Sequence, residues 1–206
     1  MFTGIVQGMA RVVTCTHHDE IMQLEVELPA AHAEKLTLGA SIAINGACLT
    51  ITRFEGTRVN FDVIDTTLEL TNLSQLNVGD QVNFERAARI GDEIGGHLMS
   101  GHILCCARII DINRQGSNHH IRFATPTEAA PYLLTKGFVG LNGCSLTLAD
   151  ADRNSFCVAL IPETLKQTTF GQLEAGADVN LEIDPQTQAV VDTVRRYMDS
   201  SSRSAV

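Results

Sequence analysis

One gapless internal repeat constrains this chain more than any other feature. "INGACLTI" begins at Ile44 and "LNGCSLTL" at Leu141, and superposing their Asn-Gly pairs shifts the chain against itself by 97 positions. The same shift carries Gly4 onto Gly101, Ala10-Arg11 onto Ala107-Arg108 and Leu36 onto Leu133. It also carries "LNVGDQVNFE" from Leu76 onto "LEAGADVNLE" from Leu173, and "IDTTLELTNL" from Ile64 onto "IPETLKQTTF" from Ile161. One register without insertions implies duplication of a whole structural unit, and the period exceeds the roughly 20 to 50 residues of solenoid repeats. Two tandem domains follow, residues 1–97 and 98–184, divided within "ARIGDEIGGHLMSGH" and followed by a tail over 185–206.

Within each unit the dominant period is two. Met22, Leu24, Val26 and Leu28 alternate with polar neighbours, as do Val59, Phe61 and Val63, the pattern of half-buried strands. Glycines at 39, 46, 56 and 79 punctuate these runs at the spacing of a small antiparallel barrel or sandwich. Asn45-Gly46 and Asn142-Gly143 each read as a tight hairpin turn. Just beyond them, Cys48, Leu49 and Thr50 correspond to Ser145, Leu146 and Thr147, with the leucine facing one side and the small polar pair the other. The tail starts with a capping Asp184 and a Pro185 suited to the first helical turn. Val190, Val191, Val194, Tyr197 and Met198 then form the apolar stripe of one amphipathic helix. A helix of this length is marginal alone, so the stripe must pack on its own barrel or, the reading we favour, on neighbouring subunits.

Composition narrows the function classes. A formal charge of −9, with no basic cluster longer than Arg195-Arg196, argues against nucleic acid as a partner. No apolar run approaches the roughly 18 residues of a membrane helix and no signal segment opens the chain, so a cytoplasmic protein is expected. Six cysteines, at 15, 48, 105, 106, 144 and 157, include no C-x-x-C pair and read as reduced thiols. Nucleophile-elbow, Walker A, HExxH and Rossmann patterns are absent. The adjacent pairs His17-His18 and His119-His120 read as solvated loops, and no cluster that includes His97 or His102 offers a set of metal ligands. The informative positions are those where the two copies differ: His102 replaces Ile5 at the start of an apolar strand, Ser145 replaces Cys48, and Lys136 replaces Gly39. Duplicated units with such substitutions suggest twin sites with unequal tasks.

"MFTGIVQG", "NGACLT", "DEIGGHLMSGHI", "IPETL..TTF" and "NLEIDPQTQAVVD", in this order and spacing, closely resemble the riboflavin synthase family, the alpha-type lumazine-binding enzymes, over nearly the whole chain. The resemblance implies an all-β protein: two tandem Greek-key six-stranded antiparallel β-barrels from internal duplication, plus a C-terminal α-helix that assembles a homotrimer. Each active site would lie between the N-terminal barrel of one subunit and the C-terminal barrel of another. Two 6,7-dimethyl-8-ribityllumazine molecules would bind there and exchange a four-carbon unit, giving riboflavin and 5-amino-6-ribitylaminouracil. The family uses no cofactor or metal, and a functional association with lumazine synthase fits its place in riboflavin formation.

Carried over residue by residue, the resemblance assigns N-domain substrate contacts to Gly4, Ile5 and Val6, to Cys48, Leu49 and Thr50, and to Asp62, Val63, Ile64, Asp65, Thr66 and Thr67. The C-domain contacts are Gly101, His102 and Ile103, then Lys136, Ser145, Leu146 and Thr147, and Ala159, Leu160, Ile161, Pro162, Glu163 and Thr164. Leu and Ile side chains would sandwich the rings, while backbone groups and hydroxyls bind their edges and ribityl chains. For catalysis, His102 and Ser145 with Thr147 would transfer protons in the C-domain site. Cys48 with Ser41 would polarise a ring or activate water, supported by Asp184. Thr66, where the family commonly has Glu, and Asn142-Gly143-Cys144, in place of Asp-Gly-aliphatic, depart from the pattern. Two other readings compete: a non-catalytic lumazine- or flavin-binding chromophore protein, which predicts decay of the second site, and an electron-transfer flavoprotein, which would need a nicotinamide-binding domain.

Overall fold

In a computed structural model that describes residues 1–18, 20–116 and 118–203, the two repeats form two closed six-stranded antiparallel barrels. The first comprises β1 (Gly8–His18), β2 (Ile21–Glu27), β3 (Ser41–Ile44), β4 (Ala47–Glu55), β5 (Arg58–Ile64) and β6 (Gln81–Arg86). The second comprises β7 (Cys105–Gln115), β8 (Asn118–Ala124), β9 (Phe138–Leu141), β10 (Cys144–Ala151), β11 (Ser155–Leu160) and β12 (Asp178–Ile183). The order around the first is β1-β2-β5-β4-β3-β6, and the second repeats it strand for strand. Strands β3, β4 and β5 are consecutive neighbours and β6 returns beside β3, which is the Greek-key connection. Closure leaves no free sheet edge.

Alternation supplies each core. In β2, Met22, Leu24 and Val26 are buried, and they pack with Val59, Phe61 and Val63 of β5 and Val82 and Phe84 of β6. The second core is built likewise from Ile109, Ile121, Phe123, Phe156, Val158 and Val179. The duplication extends to irregularities: β1 and β4 carry bulges at Val12/Thr14 and Ile51/Arg53, and β7 and β10 carry them at Ile109/Asp111 and Leu148/Asp150. Each bulge bends a strand so that a small barrel can close.

The Asn-Gly turns have the positive φ values of a tight hairpin, 45° and 82° in the first copy and 42° and 82° in the second. They also meet each other, since a Cβ added to Gly46 would stand 2.6 Å from the Gly143 nitrogen. Around this junction five asparagines bond crosswise. Asn83 Nδ2 donates to the Asn142 carbonyl, and its Oδ1 accepts from Thr169 N; Asn180 Nδ2 donates to the Asn45 carbonyl, and its Oδ1 accepts from Asn72 N. The barrels are thus joined about a pseudo-twofold axis through buried polar groups.

Helix α3 (Pro185–Arg203) follows β12, and the Asp184 carboxylate caps it by accepting from Thr187 N, Thr187 Oγ1 and Gln186 N. The apolar stripe does not pack on the chain's own barrel. Val190, Val194, Tyr197 and Met198 are 51 to 73% exposed, and the helix is tied down by Tyr132 Oη donating to Asp192 at 2.6 Å, with Arg195 over the Tyr132 ring. Residues 204–206 of the expected tail lie outside the described residues.

Two local expectations are corrected. The paired histidines are not in loops: His17-His18 end β1, paired with Met22 and Ile21, and His119-His120 lie in β8, paired with Leu160 and Ala159. Barrel strands continue beyond the core as long hairpins, where polar side chains are tolerated. His102 precedes β7 in an extended segment outside the ladder, because its backbone is bound elsewhere.

Candidate active site

The segment before each barrel crosses to the other barrel. The Gly4 carbonyl accepts from Ser145 N at 2.8 Å, and the Gly101 carbonyl accepts from Cys48 N at 2.9 Å. Between these points the segments run antiparallel, with Phe2 and Met99 exchanging backbone hydrogen bonds of 2.8 and 3.0 Å. Beyond them, Val6 packs against the second core and Ile103 against the first. Glycine is required at both crossings. Gly4 and Gly101 have φ of 73° and 80°, and an added Cβ would stand 2.5 Å from Ser145 Cβ or 2.6 Å from Cys48 Cβ.

This exchange regroups the site residues that the resemblance suggested. Gly4, Ile5 and Val6 line a cavity of about 170 Å³ with Ser145, Leu146, Ile161, Glu163 and Thr164, on the C-terminal barrel. Gly101 bonds instead to Cys48 of the N-terminal barrel and Ile103 packs on that barrel's core, with His102 between them in sequence. His102 is therefore on the Cys48 side, and Ser145 has a different imidazole beside it. Nδ1 of His97 is 2.6 Å from Ser145 Oγ, and His97 stacks on Phe138.

Burial lowers the His97 pKa, against an upward pull from Asp184. Burial in turn pulls the Asp184 carboxyl up, but the Thr187 hydroxyl, the Thr187 and Gln186 amides and the His97 charge together hold it below the ordinary carboxylate range. Ser145 and His97 thus form a hydrogen-bonded pair, on which Asp184 acts through its charge. Among the described residues, His97 Nε2 is buried without a hydrogen-bond partner.

The strand period decides which of the other residues can present side chains. Leu49, Val63 and Leu160 are at most 5% exposed and belong to the cores, so they offer only backbone to a ligand and cannot sandwich a ring. Ile5, Ile64 and Ile161 are about half exposed and can. Asp62, Thr50, Thr147 and Ala159 face outward on their strands. Asp65, Thr66 and Thr67 open α1 (Asp65–Leu70), and Pro162, Glu163 and Thr164 open α2 (Pro162–Gln167). Ser41 is opposite Thr50 in the β3–β4 register. Lys136 is exposed at φ 71°, at the turn where Gly39 has φ 80° in the first copy.

Sequence patterns weighed His97 only as a metal ligand and did not single out Phe2, Glu85 or Glu182. The last two end the matched strings "VNFE" and "VNLE", and their recurrence at a strand end was the available signal. Among the described residues no group of three or more His, Cys, Asp or Glu side chains is placed to hold a metal ion, and no helix is long and apolar enough to cross a membrane.

Comparison with known proteins identifies the family. The family model for the lumazine binding domain matches twice, over residues 3–87 and 100–184. Riboflavin synthase of Escherichia coli (strain K12) is 51% identical over 199 residues, covering 96% of this chain and 93% of that protein. Riboflavin synthase of Chlamydia pneumoniae is 40% identical over 203 residues, covering 98% and 100%. Among solved structures, LumP complexed with riboflavin superposes with a TM-score of 0.83 at 27% identity, over 89% of this chain and 99% of that one. LumP complexed with 6,7-dimethyl-8-(1'-D-ribityl) lumazine superposes with a TM-score of 0.80, at 27% identity and over 88% and 98%.

Proposed function

This chain belongs to the lumazine-binding family that includes the riboflavin synthases, and from that premise we propose that it catalyses the riboflavin synthase reaction in the cytoplasm. Two 6,7-dimethyl-8-ribityllumazine molecules react by transfer of a four-carbon unit, giving riboflavin and 5-amino-6-ribitylaminouracil. The atoms of the two substrates equal those of the two products, so the reaction consumes no oxidant, reductant or net water.

The observation that carries this reading is the mirrored crossing: one barrel's hairpin strand is bonded to the other barrel's leading segment twice over, Ser145 to Gly4, where a cavity opens, and Cys48 to Gly101. Two like pockets suit two like substrates. One takes its ligand edge to Gly4 through Val6, Ser145 through Thr147 and Ala159 through Thr164. The other uses Cys48 through Thr50, Asp62 through Thr67 and Gly101 through Ile103. Exposed Ile5, Ile64 and Ile161 supply apolar ring contacts, and Asp65, Thr67, Glu163 and Thr164 supply ribityl partners. Lys136 adds a cation near the second barrel's hairpin.

The two pockets lie at separate barrels of one chain, and the exposed stripe of α3 offers the means to bring an N-terminal pocket against a C-terminal pocket of a neighbour in a homotrimer. Pressing two rings face to face turns a bimolecular encounter into an internal one, which supplies most of the rate gain. Ser145 with Thr147 takes the proton from the acidic C7 methyl of one lumazine, and His97 receives it with Asp184 balancing the charge. In the other pocket His102, Cys48 and Ser41 polarise the partner ring or activate water toward it. Purified protein incubated with 6,7-dimethyl-8-ribityllumazine alone should form riboflavin and the pyrimidine product in equal amounts. A flat trace with tight ligand binding would establish a non-catalytic lumazine or flavin carrier instead.

A further inference from the structure

Two buried carboxylates stand behind the crossing segments. Glu85, 3% exposed near the end of β6, accepts from Thr3 N at 2.6 Å, Thr3 Oγ1 at 2.8 Å and Gly4 N at 3.1 Å. Glu182, 2% exposed near the end of β12, accepts from Ser100 N at 2.7 Å, Ser100 Oγ at 2.8 Å and Gly101 N at 3.1 Å. Each hydroxyl so held accepts the next amide but one, Ile5 N on Thr3 Oγ1 and His102 N on Ser100 Oγ. Neither carboxylate has a lysine or arginine salt bridge among the described residues. Burial pushes both carboxyls up, against the pull of these hydrogen bonds and the weaker pull of the N-terminal ammonium on Glu85 and of His102 on Glu182.

A buried carboxylate held by hydrogen bonds rather than by a salt bridge is costly, and so is its retention in both copies unless the three donors it collects do something that a neutral residue could not. What they do is set the backbone from Thr3 to Ile5 and from Ser100 to His102. Those segments leave the carboxylate's own barrel at Gly4 and Gly101 and end on Ser145 and Cys48 of the opposite one.

We propose that Glu85 and Glu182 are crossed positioning residues: Glu85, in the N-terminal barrel, builds the Ser145 pocket of the C-terminal barrel, and Glu182, in the C-terminal barrel, builds the Cys48 pocket of the N-terminal barrel. Only the identity of the ligand in those pockets rests on the functional reading above. The two clamped segments also bond to each other through Phe2 and Met99, but each carboxylate holds only its own segment.

Thiol labelling tests this without any substrate. Cys48 is half-buried beneath Gly101, whereas Cys105, Cys144 and Cys157 are buried in the barrel that holds Glu182. In Glu182→Gln the amide group faces the Gly101 N–H with a donor. The segment should lift, and iodoacetamide labelling of Cys48, read by peptide mass spectrometry, should rise by about tenfold, the scale of a lost charged hydrogen bond. Cys105, Cys144 and Cys157 should stay protected, and Glu85→Gln should leave Cys48 at or near its wild-type rate. Unchanged labelling of Cys48, a rise spread over the C-terminal barrel cysteines, or an equal rise in Glu85→Gln would each overturn the proposal. Should Glu182→Gln not fold, Ser100→Ala, which removes one donor and keeps both amides, decides by the same readout with a smaller rise confined to Cys48. A functional readout accompanies it. Both Gln variants should raise KM more than they lower kcat, and a fall in kcat alone would contradict a positioning role.

Discussion

Ser145 Oγ lies 2.6 Å from Nδ1 of His97, a ring that is buried, stacked on Phe138 and under the charge of Asp184. Burial holds the imidazole below its ordinary pKa of 6.5, against the pull of Asp184, and so favours the neutral ring. With its proton on Nε2 it accepts from Ser145, which makes the hydroxyl a proton acceptor in turn.

Turnover should therefore fall on the acid side as His97 takes up a proton, at a pH below 6.5. His97→Gln should abolish that limb and lower kcat by at least about tenfold, the low end for a positioned acid or base. Stability should follow the same sign. The unfolded imidazole protonates first, so folding free energy is intact above pH 6.5 and is lost as pH falls through the folded value. A kcat profile of His97→Gln that superimposes on wild type after scaling would remove His97 from the proton path.

Three glycines with positive φ separate backbone strain from steric contact. Gly4 and Gly101 have φ of 73° and 80° and a neighbouring Cβ within 2.6 Å of any added methyl, whereas Gly39, at φ 80°, has no atom within 4 Å. Gly4→Ala and Gly101→Ala should each cost about 3 kcal/mol, since strain adds to overlap, and should weaken ligand binding as the crossing segment is displaced. Gly39→Lys should cost only about 1 kcal/mol, the left-handed penalty alone, because Lys136 already occupies the equivalent turn. Urea denaturation midpoints give the comparison, and equal losses at all three positions would contradict it.

Much of the fold was legible because duplication and alternation are local signals. The shift that superposes the Asn-Gly turns also superposes strands, bulges and barrel order, and period two separates Leu24 from Glu25. The crossing of the leading segments was not legible, for a symmetry reason. Gly4 corresponds to Gly101 and Cys48 to Ser145 whether each segment stays on its own barrel or exchanges, so the repeat reads the same either way. The regrouping of His102 with Cys48, and of Ser145 with His97, follows from that exchange alone. Leu49 and Leu160 show the converse limit, since a site segment in a strand still turns every second side chain into the core.

The asparagine junction should be as important as either core. Asn180→Ala leaves Asn72 N–H and the Asn45 carbonyl without their partners, and Asn83→Ala does the same to Thr169 N–H and the Asn142 carbonyl. Orphaning two buried groups at once should cost about 3 kcal/mol in each variant. Because the lesion lies between barrels, the unfolding curve should broaden toward two transitions. Losses under about 1 kcal/mol would mean that water replaces both bonds.

The outward face of α3 carries the remaining prediction. Val190, Val194, Tyr197 and Met198 are mostly exposed on the single chain, and each such side chain gains roughly 1.5 to 3 kcal/mol when fully buried. Four on one helix face, repeated by each copy, are enough to hold an assembly together, while the opposite face is anchored to the barrel through Tyr132 and Asp192. Val194→Lys with Tyr197→Lys should therefore leave far-ultraviolet circular dichroism and the helix cap intact but convert the protein to monomer in size-exclusion light scattering. If the reacting pockets come from neighbouring subunits, turnover should disappear with the assembly, while each barrel still binds lumazine by fluorescence titration. A monomeric variant that retains wild-type turnover would instead place both substrates within one chain, where the Ser145 and Cys48 pockets would have to meet across their own pseudo-twofold junction.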